Sequence, residues 1–137
     1  MATVICDICG RDGSRMVRRQ FDSMYNHTPI SLDSVEMYQC QHCGENFFTP
    51  EQAREASLKV KSAAREQVGL LHPEAIVSIR KRCNLSQEEL ERLFGLGTKV
   101  VVRWERGKVL QSKTADVLLR LMDHNPAIVD EIRKIHT

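Results

Sequence analysis

Aromatic side chains are scarce in this 137-residue chain, at 5%, while charged residues reach 28%. That balance points to a small helical protein rather than a β-sandwich. No stretch approaches the ~18 consecutive apolar residues of a membrane span. The opening MATVICDICG has no basic stretch ahead of an apolar run, so no secretion signal is expected and the cytoplasm is the expected compartment. Internal repeats and low-complexity tracts are missing too. So are a nucleophile–base constellation, a glycine-rich phosphate loop and paired carboxylates in a pocket, which argues against an enzyme. The charge excess is small, 20 Lys and Arg against 18 Asp and Glu, so the total says little about partners.

Its distribution says more. Residues 1–49 hold four basic and six acidic side chains, and residues 50–137 hold sixteen and twelve, so the two parts differ in sign. The first part also carries four of the five cysteines and five of the seven aromatics. Arg15–Phe21 and Val35–Gln39 alternate weakly and are expected as strands, with a loop over Asp22–Asp33. A segment this short buries too little apolar surface to fold unaided, so it needs a staple.

The cysteines supply one. Cys6-x-x-Cys9-Gly10 and Cys40-x-x-Cys43-Gly44 are matched knuckles. Two residues between thiolates let both sulfurs reach one ion, and the glycine permits the tight turn that aims amide N–H groups at sulfur. Four thiolates leave no open coordination position, so the expected site is structural, with one zinc ion per chain. An iron site of rubredoxin type has the same spacing. Such binding is the segment's main folding energy, about 10–16 kcal/mol in zinc-finger peptides. Cys83 lies outside both motifs and reads as a core or boundary residue, and His42 reads as exposed.

Residues 50–68 read as one helix. Thr49 caps it, Pro50 takes its first position, and Gln52 completes a capping box. Ala53, Ala56, Val60, Ala63 and Ala64 form a narrow stripe expected to pack on the cysteine segment. Val68-Gly69 and Pro73 mark a stop, giving expected domains of 1–68 and 69–137. The second domain reads as helices over Pro73–Cys83, from a Ser86/Glu89 capping box to about Phe94, from Gly97 or Thr98 to Gly107, over Ser112–Asp123 and over Pro126–Ile135.

Within it, LSQEELERLFGLGTKVVVRWERG (Leu85–Gly107) has the parts of a helix-turn-helix. Leu90, Leu93, Phe94, Val101 and Trp104 are its expected buried face. Lys99 and Arg103, four residues apart, share another face. Arg103 can read guanine O6 and N7 in bidentate fashion, Lys99 a guanine or a phosphate, and Val100 a thymine methyl. Ser86 and Gln87 open the first helix, where backbone N–H groups suit a phosphate. Lys99 to Lys113 holds five basic residues and one acidic, which makes Arg106, Lys108 and Lys113 phosphate-contact candidates.

The LSQEEL-x-RLFG-x-G…VVRWERG pattern resembles the Xre/Cro-type helix-turn-helix. Together with the double CxxC and the following RGKVLQS…LLRLMDHNP, the chain resembles the MqsA/YgiT-type antitoxins over nearly its whole length. The resemblance implies a mainly α protein with a small α+β zinc-binding N-terminal domain and a five-helix Xre/Cro-like C-terminal domain. It implies a homodimer through the C-terminal domain, binding a palindromic operator in double-stranded DNA on the nucleoid. It implies an N-terminal domain that binds a toxin, a small basic RNase, and repression of the protein's own operon. The family's two base-reading positions fall on Lys99 and Arg103, the first being Asn in the family pattern. A second departure is Glu91, where such motifs place a small residue; it suggests an altered helix crossing or an outward tilt. A stand-alone regulator, sensing a ligand or metal through its N-terminal domain, is the alternative reading.

Overall fold

The computed structural model describes residues 4–136. The chain divides into two compact units, the first ending at Ala64 and the second beginning at Arg65. Among the described residues the elements are strands β1 (Arg15–Tyr25), β2 (Thr28–Gln39) and β3 (Asn46–Phe47), then helices α1 (Pro50–Val68), α2 (Pro73–Arg82), α3 (Gln87–Phe94), α4 (Val100–Glu105), α5 (Lys113–His124) and α6 (Ile128–Ile135). No helix among them is long and apolar enough to cross a membrane.

The first unit is an antiparallel sheet in the order β1-β2-β3, with most of α1 beside it. The loop expected over Asp22–Asp33 is instead the body of a hairpin. Its strands pair down to Tyr25 opposite Thr28, and Asn26 and His27, both at positive φ (48° and 67°), make a two-residue turn. Such turns match the twist of the flanking strands. Pro29 is tolerated because β3 meets β2 only at Tyr38 and Gln39, so no second neighbour needs a donor at that end. The register slips between Arg19 and Phe21, so Asp33 and Ser34 together face Gln20. This bulge reverses the inside–outside parity of β2. Ile30 and Leu32 on one side of it, and Val35 and Met37 on the other, are thereby all covered in spite of the broken alternation. Val35, Met37 and Ala56 form the core of this unit with Val17, Phe21, Leu32 and Phe48 against them. The Phe21 and Phe48 rings meet edge to face at 5.2 Å.

Helix α1 begins as its capping box requires. Thr49 Oγ1 accepts the Gln52 N–H at 3.2 Å, and Gln52 Oε1 accepts the Thr49 N–H at 3.1 Å. Of the small-residue stripe, Ala56, Val60 and Ala64 are buried, while Ala53 is exposed.

In the second unit, Ile76, Ile79, Leu85, Leu90, Leu93, Val101, Trp104, Ala115, Leu119, Met122 and Val129 make one core, with Phe94 and Cys83 packed against it. The Ser86/Glu89 capping box starts α3, and Gly95 in the left-handed region ends it. Asn84 performs the same service after α2 at φ 57°, with the Leu85 N–H reaching back to the Arg80 carbonyl. Buried Asp116 clasps the segment before α2: it accepts the Leu71 N–H at 2.8 Å, Arg120 Nε at 2.7 Å and Gln111 Nε2 at 3.1 Å. Burial pushes its carboxyl up, but the Leu71 amide, Arg120 and Gln111 outweigh that and hold it below the usual carboxylate value.

Two helix starts differ from the sequence expectation by more than one residue. Helix α6 begins at Ile128 rather than Pro126, and α4 begins at Val100 rather than at Gly97 or Thr98. The cause at α4 is Lys99, whose φ of 68° puts it in the left-handed region, outside the helix.

Trp104, the single tryptophan, lies in this core and reports on the second unit. Leu119 is fully buried, so Leu119→Ala should lower unfolding stability by about 2–5 kcal/mol in a urea titration followed by Trp104 fluorescence. A change under about 1 kcal/mol would contradict this packing.

Candidate functional site

Two constellations carry chemistry, one in each unit. In the first, Cys6, Cys9, Cys40 and Cys43 converge, with their four sulfurs all within 4.8 Å of one another. Cys6 and Cys43 Sγ lie 3.7 Å apart, and Cys9 and Cys40 Sγ 3.6 Å. A tetrahedron of sulfurs about 2.3 Å from a central ion has edges of about 3.8 Å, so the spacing fits a metal. The two knuckles repeat one backbone pattern. Gly10 and Gly44 sit at φ 76° and 75°, each donating its N–H to the carbonyl of Cys6 or Cys40 at 2.9 and 3.1 Å. Cys6 Sγ accepts N–H groups of Ile8 (3.3 Å) and Cys9 (3.4 Å), and Cys40 Sγ that of His42 (3.3 Å).

These amides and the crowding of thiols act in opposite directions. The Cys43 amide outweighs desolvation at Cys40 and, with the His42 amide and neighbouring thiols, brings that thiol down to about 6. Cys43 receives the Glu45 amide, yet desolvation and the Cys6, Cys40 and Cys9 thiols push it up to about 12. Four thiols this close cannot all ionise without a cation among them, so metal binding here must release protons. His42 is exposed, with Nε2 3.2 Å from the Asp12 carbonyl oxygen, and stands outside the sulfur set. Cys83 lies apart as well, its Sγ 4.0 Å from the Met122 carbonyl oxygen and its thiol raised by burial.

The second constellation is α3, the turn after it, and α4. Val101 and Trp104 face inward, 0% and 4% exposed, while Lys99 and Arg103 are both exposed. The Lys99 carbonyl accepts the Arg103 N–H at 3.2 Å, the first bond of the helix. Lys99 therefore stands at the threshold of α4, one residue before the helix, and not within it. Helix α4 ends at Glu105. The Gly107 N–H then bonds the Trp104 carbonyl and the Lys108 N–H the Arg103 carbonyl, which turns Arg106 to Lys108 sharply away. Lys99, Arg103, Arg106, Lys108 and Lys113 are all exposed, and none has a carboxylate partner among the described residues.

The one acid within this stretch of sequence is already engaged. Glu105 forms a two-pronged pair with Arg80 of α2, Nε to Oε2 at 2.7 Å and Nη2 to Oε1 at 3.0 Å, with side chains only 11% and 7% exposed. Arg80 Nη1 also donates to the Leu85 carbonyl at 2.9 Å, and Gln87 Nε2 donates to Glu105 Oε1 at 2.9 Å. One carboxylate thus joins α2, α3 and α4. Sequence reading missed both Arg80 and Glu105; the sole signal was a lone acid in a basic stretch.

Other expected contact residues are more committed than the sequence suggested. The Gln87 side chain is held by Glu105, and the Ser86 hydroxyl accepts the Glu89 N–H at 3.1 Å, so neither side chain is idle. Val100 is half-buried against the core. Glu91 does not tilt outward: it is 6% exposed, and its Oε2 accepts the Val101 N–H at 3.1 Å.

Glu105→Ala would strand the Arg80 guanidinium without its anion. We expect a loss of about 3–5 kcal/mol in thermal or urea unfolding, and a loss below about 1 kcal/mol would contradict the pairing. Chelation should unfold residues 1–49, read by far-UV circular dichroism, while Trp104 fluorescence stays native. Metal affinity should weaken on going from about pH 8 to about pH 6, because protons then compete for the thiolates. A chelated protein with an unchanged spectrum would contradict the metal reading.

Residues 4–133 match the family described as the antitoxin component of bacterial toxin–antitoxin system, MqsA. Antitoxin MqsA of Escherichia coli strain K12 is 31% identical over 103 residues, which is 74% of this chain and 79% of that protein. Antitoxin HigA-2 of Vibrio cholerae serotype O1 is 30% identical over 87 residues, 62% of this chain and 84% of that protein. The family match runs from ahead of the first knuckle into the last helix, so the chain belongs to the MqsA family of antitoxins.

Proposed function

We propose that this antitoxin is also a sequence-specific DNA-binding repressor. Its C-terminal domain, residues 69–137, is a five-helix domain of the Xre/Cro type, in which α3 and α4 form the helix-turn-helix. That domain pairs two chains into a homodimer on a palindromic operator in double-stranded DNA. The N-terminal domain, residues 1–68, is folded around one zinc ion on Cys6, Cys9, Cys40 and Cys43, and it binds and neutralises a toxin, a small basic RNase. By occupying the operator, the protein represses its own operon, working in the cytoplasm on the nucleoid.

The observation that carries this reading is the row of five exposed cations from Lys99 to Lys113, left without carboxylate partners while Glu105 is withdrawn by Arg80. A duplex offers the missing negative charge at regular spacing. Arg103, on the exposed side of a short helix, suits the paired acceptors of guanine, and Lys99 beside it suits a guanine or a phosphate. Arg106, Lys108 and Lys113 suit phosphates. At the start of α3, Ser86 and Gln87 contribute mainly the helix's first backbone N–H groups, since their side chains hold the motif together. Val100 can offer a thymine methyl only the edge of its side chain that the core leaves free. The toxin reading rests on the antitoxin relatives and on the acidic first segment, which complements a basic partner.

Arg103→Ala should cost about 1–3 kcal/mol on the selected operator and relax base preference at one position. Lys108→Ala should weaken operator and random duplex alike. Fluorescence anisotropy with both duplexes measures this, and an equal loss on both for Arg103→Ala would refute base reading. Footprints should show two half-sites about 34–36 Å apart, or a multiple of that; a single half-site would refute the dimer.

A further inference from the structure

Helix α4 is only six residues long, and its N-cap residue, Lys99, has a left-handed backbone and no side-chain hydrogen bond to the helix. A helix this short depends on how its first N–H groups are satisfied, because few internal hydrogen bonds hold it. The Val101 N–H points at the Glu91 carboxylate, 3.1 Å away, from a different helix. Glu91 is 6% exposed and lines a 330 Å³ groove with Lys99, Thr98 and Val102 and with the charged Glu88 and Arg92 of its own helix. A carboxylate is rarely kept this far from water unless its hydrogen bonds repay the desolvation.

We propose that Glu91 is a positioning residue for base recognition: it caps α4 in place of a local side chain and so fixes where Lys99 and Arg103 stand. The two cations flank the N–H that Glu91 holds, Lys99 two residues before Val101 and Arg103 two after it. Releasing that N–H lets the left-handed residue and the first turn of α4 relax together. The register of Arg103 on a base edge is then lost, whereas phosphate contacts at Arg106, Lys108 and Lys113, beyond the helix end, are not. Specific binding therefore falls more than non-specific binding. This inference rests on the DNA reading proposed above for the direction of its effect on binding, but not for its effect on the helix.

The test uses the metal-loaded 137-residue chain and two variants. Glu91→Gln keeps a carbonyl acceptor of the same reach, and Glu91→Met keeps the length and helix preference while removing the acceptor. Hydrogen exchange of the Val101 amide, against the Leu119 amide as an internal reference, should quicken about tenfold or more in Glu91→Met and stay within about threefold of wild type in Glu91→Gln. The probes for binding are a duplex selected from a random pool by the wild-type protein and a scrambled duplex of equal length. Glu91→Met should weaken the selected duplex about tenfold and the scrambled one less than about twofold, with Glu91→Gln largely restoring the ratio. Unchanged Val101 exchange overturns the capping, and a Glu91→Met protein that is less stable but keeps the wild-type ratio overturns the positioning role. If the wild-type protein fails to discriminate between the duplexes, the DNA reading falls instead, and the exchange result still decides the cap.

Discussion

The ion pair between Arg80 and Glu105 is the interaction on which the second unit's surface depends. It is nearly buried, two-pronged, and shared with Gln87 and the Leu85 carbonyl, so it ties three helices at one point. Its charge consequence matters as much as its geometry. Glu105 is the sole acid between Lys99 and Lys113, and Arg80 neutralises it from a different helix. The five cations of this stretch are exposed, and none forms an ion pair among the described residues. A buried pair of this kind is weak evidence for stability, since desolvation offsets much of its attraction. Its better-supported use is to fix one arrangement, here that of α4 against α2 and α3.

The first unit reaches order by a different route. Its apolar core is small, and the hairpin is polar on much of its surface, so the sheet and the Ala56 face of α1 supply limited burial. The sulfur cluster makes up the difference. Paired knuckles, with amide N–H groups aimed at sulfur and glycines in left-handed turns, are built for an anionic set that a cation must balance. One unit thus gathers four thiols at a metal position, and the other exposes five cations that form no ion pair among the described residues.

Much of this was legible in the sequence where a local rule acts alone. The doubled CxxCG fixed the cysteine cluster. The Thr49/Gln52 and Ser86/Glu89 boxes marked two helix starts within a residue, because each is a self-contained exchange of hydrogen bonds. What was illegible depended on partners distant in the chain. The β2 bulge at Asp33 and Ser34 scrambles the alternation that would have revealed the strand, and Asn26-His27 is a less familiar turn pair than one containing glycine. The start of α4 shifted because Lys99 adopts a conformation unusual for its type, and the Val101 N–H that follows bonds to Glu91, ten residues earlier, rather than to a local cap. Of the two expectations for Glu91, an altered crossing or an outward tilt, the tilt is overturned for the same reason: the carboxylate has a backbone partner that composition does not advertise. The family resemblance read from the same residues agrees with the family match over residues 4–133.

The DNA-binding role proposed above is electrostatic at root: it has the exposed cations from Lys99 to Lys113 meet a phosphate backbone. Each phosphate neutralised should steepen the dependence of log affinity on log salt by about 0.9. Titrating a fluorescent duplex at a series of potassium chloride concentrations measures that slope directly. With Arg106, Lys108 and Lys113 engaged, the slope should be about −2.7 or steeper per bound chain. A slope near zero, or binding too weak to titrate even at low salt, would contradict the account.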